Sequence, residues 1–176
     1  MLKIVTTFLL CIILLHTLGQ KQRKVSTYLF TQYNSTIYDA TVGNNPSGIG
    51  LGLQSFFTVK PKFKITIELT GDIYLQDDKV YRMYPNGTPI NDVNGMVNLF
   101  AGSLFHPIEN MYLSFAAGPS FINGQTLLGI KPALGFYISA NHRWIVKAAY
   151  INVFNRDKIT KKDFGSVSLA IGLKLF

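Results

Sequence analysis

The sequence predicts an all-β chain: an eight-stranded antiparallel up-and-down barrel that crosses a membrane with its strands, behind an N-terminal signal peptide. Three observations carry this. Lys62 to Leu75, KFKITIELTGDIYL, alternates over fourteen residues, with Phe63, Ile65, Ile67, Leu69, Ile73 and Leu75 on one face. Lys64, Thr66, Glu68, Thr70, Asp72 and Tyr74 share the other. A period of two is a β-strand. Soluble strands usually stop at about 5–6 residues, whereas a strand that crosses a bilayer needs about 9–11. Seven further segments read as strands. Finally, small residues gather on the polar faces of those strands.

The elements follow in chain order. MLKIVTTFLLCIILLHTLGQ has a basic Lys3, an apolar run from Ile4 to Leu15, and the small residues Thr17 and Gly19 before Gln20. This is the layout of a secretory signal peptide, and the run is short of the roughly 20 residues of a membrane helix. The expected division is a signal peptide over residues 1–19 and a barrel domain over residues 20–176. Cys11, the single cysteine, lies in the signal segment, so the exported chain has no thiol chemistry. The 17 basic and 9 acidic residues give +8, or +7 without Lys3.

Ser26 to Tyr38 is rich in β-formers but shows no clear phase. Gly48 to Val59 sets Ile49, Leu51, Leu53, Phe57 and Val59 against Gly50, Gly52, Gln54 and Thr58. Lys62 to Leu75 comes next, and then Val93 to Phe105, with Val97, Leu99, Ala101 and Phe105 opposite Asn94, Asn98 and Gly102. Met111 to Phe121 opposes Leu113, Phe115 and Phe121 to Ser114, Gly118 and Ser120. Leu128 to Ile138 opposes Leu134 and Phe136 to Lys131, Ala133 and Gly135. Trp144 to Phe154 is apolar on both faces, and Lys147 sets its phase. The final strand puts Val167, Leu169, Ile171, Leu173 and Leu175 opposite Ser168, Ala170, Gly172 and Lys174.

The connections alternate in length. Lys60 to Lys62, His106 to Asn110 and Ser139 to His142 read as tight turns. Asp39 to Ser47, Gln76 to Asp92 and Asn155 to Asp163 are longer and polar, and Asn123 to Thr126 is a short link on their side. Even strand counts, short periplasmic turns and longer external loops define outer-membrane barrels. Pro119 and Pro132 fall inside strands, where proline cannot donate to the ladder. Their expected place is near the outer rim, at bulges.

Period two alone fits a soluble lipocalin-like barrel equally well. The glycines decide between them. Gly50, Gly52, Gly102, Gly118, Gly129, Gly135 and Gly172 lie on polar faces, with Ala116, Ala133 and Ala170, while Gly71 and Gly95 are exceptions on the other face. A solvated face has no need of small residues, but the interior of an eight-stranded barrel is only just wide enough for its side chains. A one-residue slip of Lys62–Leu75 would carry Lys64, Glu68 and Asp72 into lipid together. Phe57, Phe63, Phe105, Phe121, Trp144 and Phe154 lie near strand ends, as interfacial girdles do.

With its signal peptide, eight strands, alternating loops and terminal LAIGLKLF, the chain resembles the small eight-stranded outer-membrane barrels of the OmpX/OmpA transmembrane type. The resemblance implies residence in the outer membrane of a Gram-negative bacterium. It also implies contact with outer-membrane lipid and lipopolysaccharide, and recognition by the barrel assembly machinery. Leu173, Leu175 and Phe176 are the expected assembly signal.

Some barrels of this architecture act on lipid A with a histidine near the outer rim. Here His16 is in the signal peptide, and His106 and His142 fall in inner turns as exposed residues. No enzyme, metal or cofactor is expected. Lys64, Glu68, Asp72, Lys131, Lys147 and Lys174 are expected to form a charge network that plugs the lumen. Arg156, Lys158, Lys161 and Lys162 make a basic external loop suited to lipopolysaccharide phosphates. Val80, Tyr81, Met83 and Tyr84 give the Gln76–Asp92 loop an apolar middle. No nucleic-acid module accompanies the positive charge. The expected role is a monomeric structural or surface-interaction protein, with a small channel and a lipocalin-like binder as the rival readings.

Overall fold

The computed structural model describes residues 25–38, 45–75, 93, 95–156 and 163–176. Eight strands follow in order: β1 (Val25–Thr36), β2 (Ser47–Lys60), β3 (Phe63–Leu75), β4 (Gly95–Ile108), β5 (Met111–Ile122), β6 (Gln125–Tyr137), β7 (Trp144–Val153) and β8 (Phe164–Lys174). Each pairs antiparallel with its chain neighbours, and β8 returns to β1 to close the barrel. Closure removes every sheet edge, the condition for a strand-built structure to sit in hydrocarbon.

The registers fix the barrel's dimensions. Thr27 faces Ser55, Ser55 faces Ile67, and the line continues through Ala101, Ala117, Ile130, Asn152 and Gly165. Gly165 then accepts from the backbone of Ile37, ten residues beyond the start. A stagger of ten over eight strands sets a tilt of about 40° and a backbone radius of about 8 Å. The 13 residues of β3 then reach about 33 Å along the axis, beyond the roughly 25 Å apolar band of such barrels.

Residues 61–62, 109–110 and 138–143 make the short turns at one end, here the inner end, where β1 begins and β8 finishes. At the outer end Asn123 and Gly124 both have positive φ, 48° and 73°, forming the primed turn whose twist matches a hairpin. The other outer connections span residues 37–46, 76–94 and 154–163.

Side chains alternate as the sequence predicts. On β3, Ile65, Ile67, Leu69 and Ile73 are 44–62% exposed, while Thr66, Glu68, Thr70 and Asp72 are 0–3% exposed. β1, without a readable phase in the sequence, points Tyr28, Phe30, Gln32, Asn34 and Thr36 inward. Its inward row is aromatic near the inner end and amide-bearing near the outer, so no single polarity marks the face. Phe63, Phe105, Phe121 and Trp144 stand outward near strand ends, and the first two rings touch at 4.9 Å.

The interior differs from the expected small, polar filling. Tyr28, Phe30, Phe56, Leu104, Tyr112 and Ile145 pack together toward the inner end. Tyr74, Met96, Phe100, Ile122, Ile151 and Phe164 pack toward the outer end. The lumen glycines make room for these rings. A Cβ on Gly135 would meet the Tyr112 ring at 2.1 Å, and one on Gly172 the Phe30 ring at 2.5 Å. Elsewhere glycine admits backbone: a Cβ on Gly102 would meet the Phe115 carbonyl oxygen at 2.0 Å. Gly102→Ala should therefore lower barrel stability by about 1–3 kcal/mol. Gly71→Ala, on the open outward face, should not. Urea unfolding in micelles compares the two.

The prolines also depart from expectation. Pro132 lies midway along β6 rather than near the rim, and neither proline forms a bulge. Asn98 faces Ser120 and Ala101 faces Ala117, so β4 and β5 keep one register across Pro119 with the rungs between left unpaired. β6 and β7 do the same across Pro132, between the pairs Ile130–Asn152 and Ala133–Ala149. A missing N–H silences only the neighbour it would have faced, and the β5–β6 ladder runs unbroken through both prolines. The register shifts lie instead at Thr58/Lys60 and Phe105/Ile108, beside the inner turns.

Candidate functional site: a sealed lumen and a charged rim

Period two delivers alternate residues of every strand into one narrow bore, so residues distant in sequence meet there. Glu68 of β3 accepts through Oε1 from the ammonium groups of Lys131 on β6 and, at 3.0 Å, Lys147 on β7. Lys147 also donates to Gln54 Oε1 at 3.0 Å and sits 4.3 Å from the centre of the Phe30 ring. All three charged groups are almost wholly buried.

Asp72 lies on the same face of β3, two pleats beyond Glu68, about 13 Å along the strand. Amides solvate it: Gln32 Nε2 and Asn34 Nδ2 donate to Oδ1 at 2.5 and 2.7 Å, and Asn98 Nδ2 donates to Oδ2 at 3.2 Å. Gly50 is required opposite, since a Cβ there would meet Asp72 Oδ1 at 2.0 Å.

The six lumen charges predicted from the sequence thus divide. Glu68, Lys131 and Lys147 form one ion-paired group, and Asp72 has its own amide cage. Lys64 and Lys174 are not part of the group. They are half-buried at the inner mouth, and Lys64 stands two pleats from Glu68, out of reach. The sequence could not show the amide cage, because Gln32 and Asn34 belong to the strand without a phase.

The histidines need a similar correction. His106 lies within β4 rather than in a turn, and is 8% exposed. Its Nε2 is 3.2 Å from the Tyr137 hydroxyl, and its ring lies parallel to Tyr137 at 5.9 Å. His142, half-buried, also stacks on Tyr137, at 4.2 Å, and Tyr28 donates to its carbonyl at 2.8 Å. Burial and the neighbouring Lys64 hold the His142 pKa below the ordinary histidine value. Among the described residues neither ring nitrogen bonds a serine or a carboxylate, so the geometry is that of a stacked lid over the inner mouth.

At the outer rim a cluster appears that the sequence did not announce. The hydroxyls of Tyr38 and Tyr150 are 2.6 Å apart and both reach Asn152 Oδ1, while Asn152 Nδ2 donates to Asp163 Oδ2 at 3.1 Å. Gly165, beneath the Tyr38 ring, was the available signal. Of the predicted basic loop, Arg156 is half-buried just after β7. Lys158, Lys161 and Lys162 lie outside the described residues, as do the apolar middle of the Gln76–Asp92 loop and the predicted signal peptide over residues 1–19. Leu175 and Phe176 extend the β8–β1 ladder through bonds with Thr27, and both side chains are about half exposed.

Topology sorts the remaining charge. The segments joining strands at the outer end hold six acids (Asp39, Asp77, Asp78, Asp92, Asp157, Asp163) and six bases (Lys79, Arg82, Arg156, Lys158, Lys161, Lys162). In the lumen Lys131 and Lys147 balance Glu68 and Asp72. Lys60, Lys62, Lys64, Arg143 and Lys174 fall at the inner end, where Glu109 is the one acidic side chain among the described residues. Lys21, Arg23 and Lys24 directly precede β1 in the chain. Among the described residues the unbalanced positive charge therefore lies at the inner end.

No protein-family model matches the chain, and no curated protein matches it. Solved structures do. The crystal structure of Ail, the attachment invasion locus protein of Yersinia pestis, is 14% identical with a TM-score of 0.55, covering 86% of this chain and 97% of that one. Ail in a phospholipid bilayer nanodisc is 13% identical with a TM-score of 0.54, covering 85% and 99%. A de novo designed transmembrane β-barrel is 8% identical with a TM-score of 0.52, covering 89% and 100%. The shared feature at these identities is the fold: an eight-stranded transmembrane β-barrel.

Proposed function

We propose that this chain is a non-enzymatic outer-membrane β-barrel protein of a Gram-negative bacterium, with a structural or surface-interaction role such as adhesion or envelope integrity. One observation carries the reading: a continuous outward belt of half-exposed Leu, Ile, Val and Phe surrounds an interior that holds the charge. In water such a belt would far exceed the few hundred Å² of apolar patch that soluble monomers tolerate. A lipocalin-like binder requires the reverse arrangement.

The sealed bore weighs against the channel reading. An apolar aromatic cluster lies on each side of the Glu68–Lys131–Lys147 group, and an eight-stranded barrel has little width to spare. Among the described residues, His106 and His142 stack on Tyr137 at the inner mouth, away from the outer rim. Interaction is then left to the surface: outer-membrane lipid around the belt, and lipopolysaccharide phosphates or a surface ligand at the loops that include Arg156. Residues 1–19 would direct export, and Leu173, Leu175 and Phe176 would be read by the barrel assembly machinery.

Extraction should require detergent, and the unboiled protein should migrate differently from the boiled one on a gel. Recovery in the soluble fraction without detergent would defeat the membrane reading. Planar bilayers should show no steady conductance; discrete stable openings would favour the channel.

A further inference from the structure

The inner rim combines two features that have no role inside the barrel. Outward aromatic side chains mark the edge of the apolar belt there: Phe63, Phe105 and Trp144 are 50, 36 and 42% exposed. One residue farther from the membrane stand exposed cations, Lys62 beside Phe63 and Arg143 beside Trp144, with exposed Lys60 across the same turn as Lys62. None of these three is ion-paired among the described residues.

Aromatic residues settle at headgroup depth, and lysine or arginine just beyond them meets the phosphates. The distribution is one-sided. Among the described residues the outer end and the lumen are each balanced in charge, whereas the inner end carries the excess. A compensated rim would need acids interspersed with its bases, and Glu109 alone does not supply them. The geometry points to a recognition surface for anionic phospholipid headgroups in the membrane leaflet on the short-turn side, preferred over zwitterionic ones. The inference rests on the membrane reading above and adds the lipid class and the residues.

The test uses Trp144, the single tryptophan of the chain, which lies on this rim. The folded protein is inserted into phosphatidylcholine vesicles holding equal fractions of brominated phosphatidylglycerol or brominated phosphatidylcholine. Gel mobility with and without boiling confirms insertion in each. Brominated phosphatidylglycerol should quench Trp144 more strongly, and the preference should fade with added salt. Each charge removed in the variant K60Q/K62Q/R143Q should weaken the preference by about fivefold. Equal quenching by both lipids in the inserted protein would overturn the inference while leaving the barrel intact. So would an undiminished preference in the inserted variant. Loss of the preference on replacing chloride with inorganic phosphate at equal ionic strength would point to a soluble phosphate ligand instead and overturn the lipid assignment. Failure to insert at all would sink both readings, and the gel separates that outcome from the others.

Discussion

Glu68→Ala should cost the barrel about 3–5 kcal/mol, the largest effect of any single substitution considered, because it leaves Lys131 and Lys147 buried together without an anion. The lysine ammonium groups converge on the same Glu68 oxygen, so removing it also brings their like charges into direct opposition. Glu68→Ala combined with Lys147→Met should recover part of the loss, since the second change removes one stranded charge and fills its space with an apolar chain. Adding Asp72→Ala to Glu68→Ala should deepen it, because three amide donors lose their acceptor. Urea unfolding in micelles, followed through Trp144, measures each variant. Unchanged stability of the Glu68/Asp72 double variant would remove the charged layer from the account of how the barrel is held.

The second large effect is expected at Leu69. It lies midway along β3, faces outward, and is flanked by the outward Leu53 and Leu99 of the neighbouring strands. Leu69→Arg should destabilise the inserted barrel by about 2–4 kcal/mol, the cost of an arginine at the bilayer midplane. Phe63→Arg, on the same face at the inner rim, should cost only about 0–1 kcal/mol by the same depth dependence. The contrast is diagnostic. In a barrel surrounded by water both changes would be neutral on an exposed face, and equal effects at the two depths would argue against lipid around the belt.

The sequence made β3 legible because its two faces differ in polarity along their whole length. β7 was legible through a single residue, Lys147, whose charge could only face inward. β1 resisted because Tyr28 and Phe30 share a face with Gln32 and Asn34, and no local rule predicts that an inward row changes character halfway along. The glycines were read correctly as inward but for an incomplete reason. Gly135 and Gly172 lie inside because Tyr112 and Phe30 occupy the space beside them, and those rings belong to other strands. His106 was misplaced for a related reason: β4 runs on through Ile108, carrying the histidine into the barrel mouth beneath Tyr137.

By itself the sequence determined the number of strands, the face each clean strand turns outward, and the alternation of short and long connections. These follow from local periodicity, and lipid on one side enforces them residue by residue. Only the tertiary structure decided the stagger of ten, the pairing of Glu68 with lysines 63 and 79 residues away, and the amide cage around Asp72. It also decided the gathering of net positive charge at one end. Each of these depends on which strands become neighbours and at what height, and a closed barrel settles that only when all eight registers are in place.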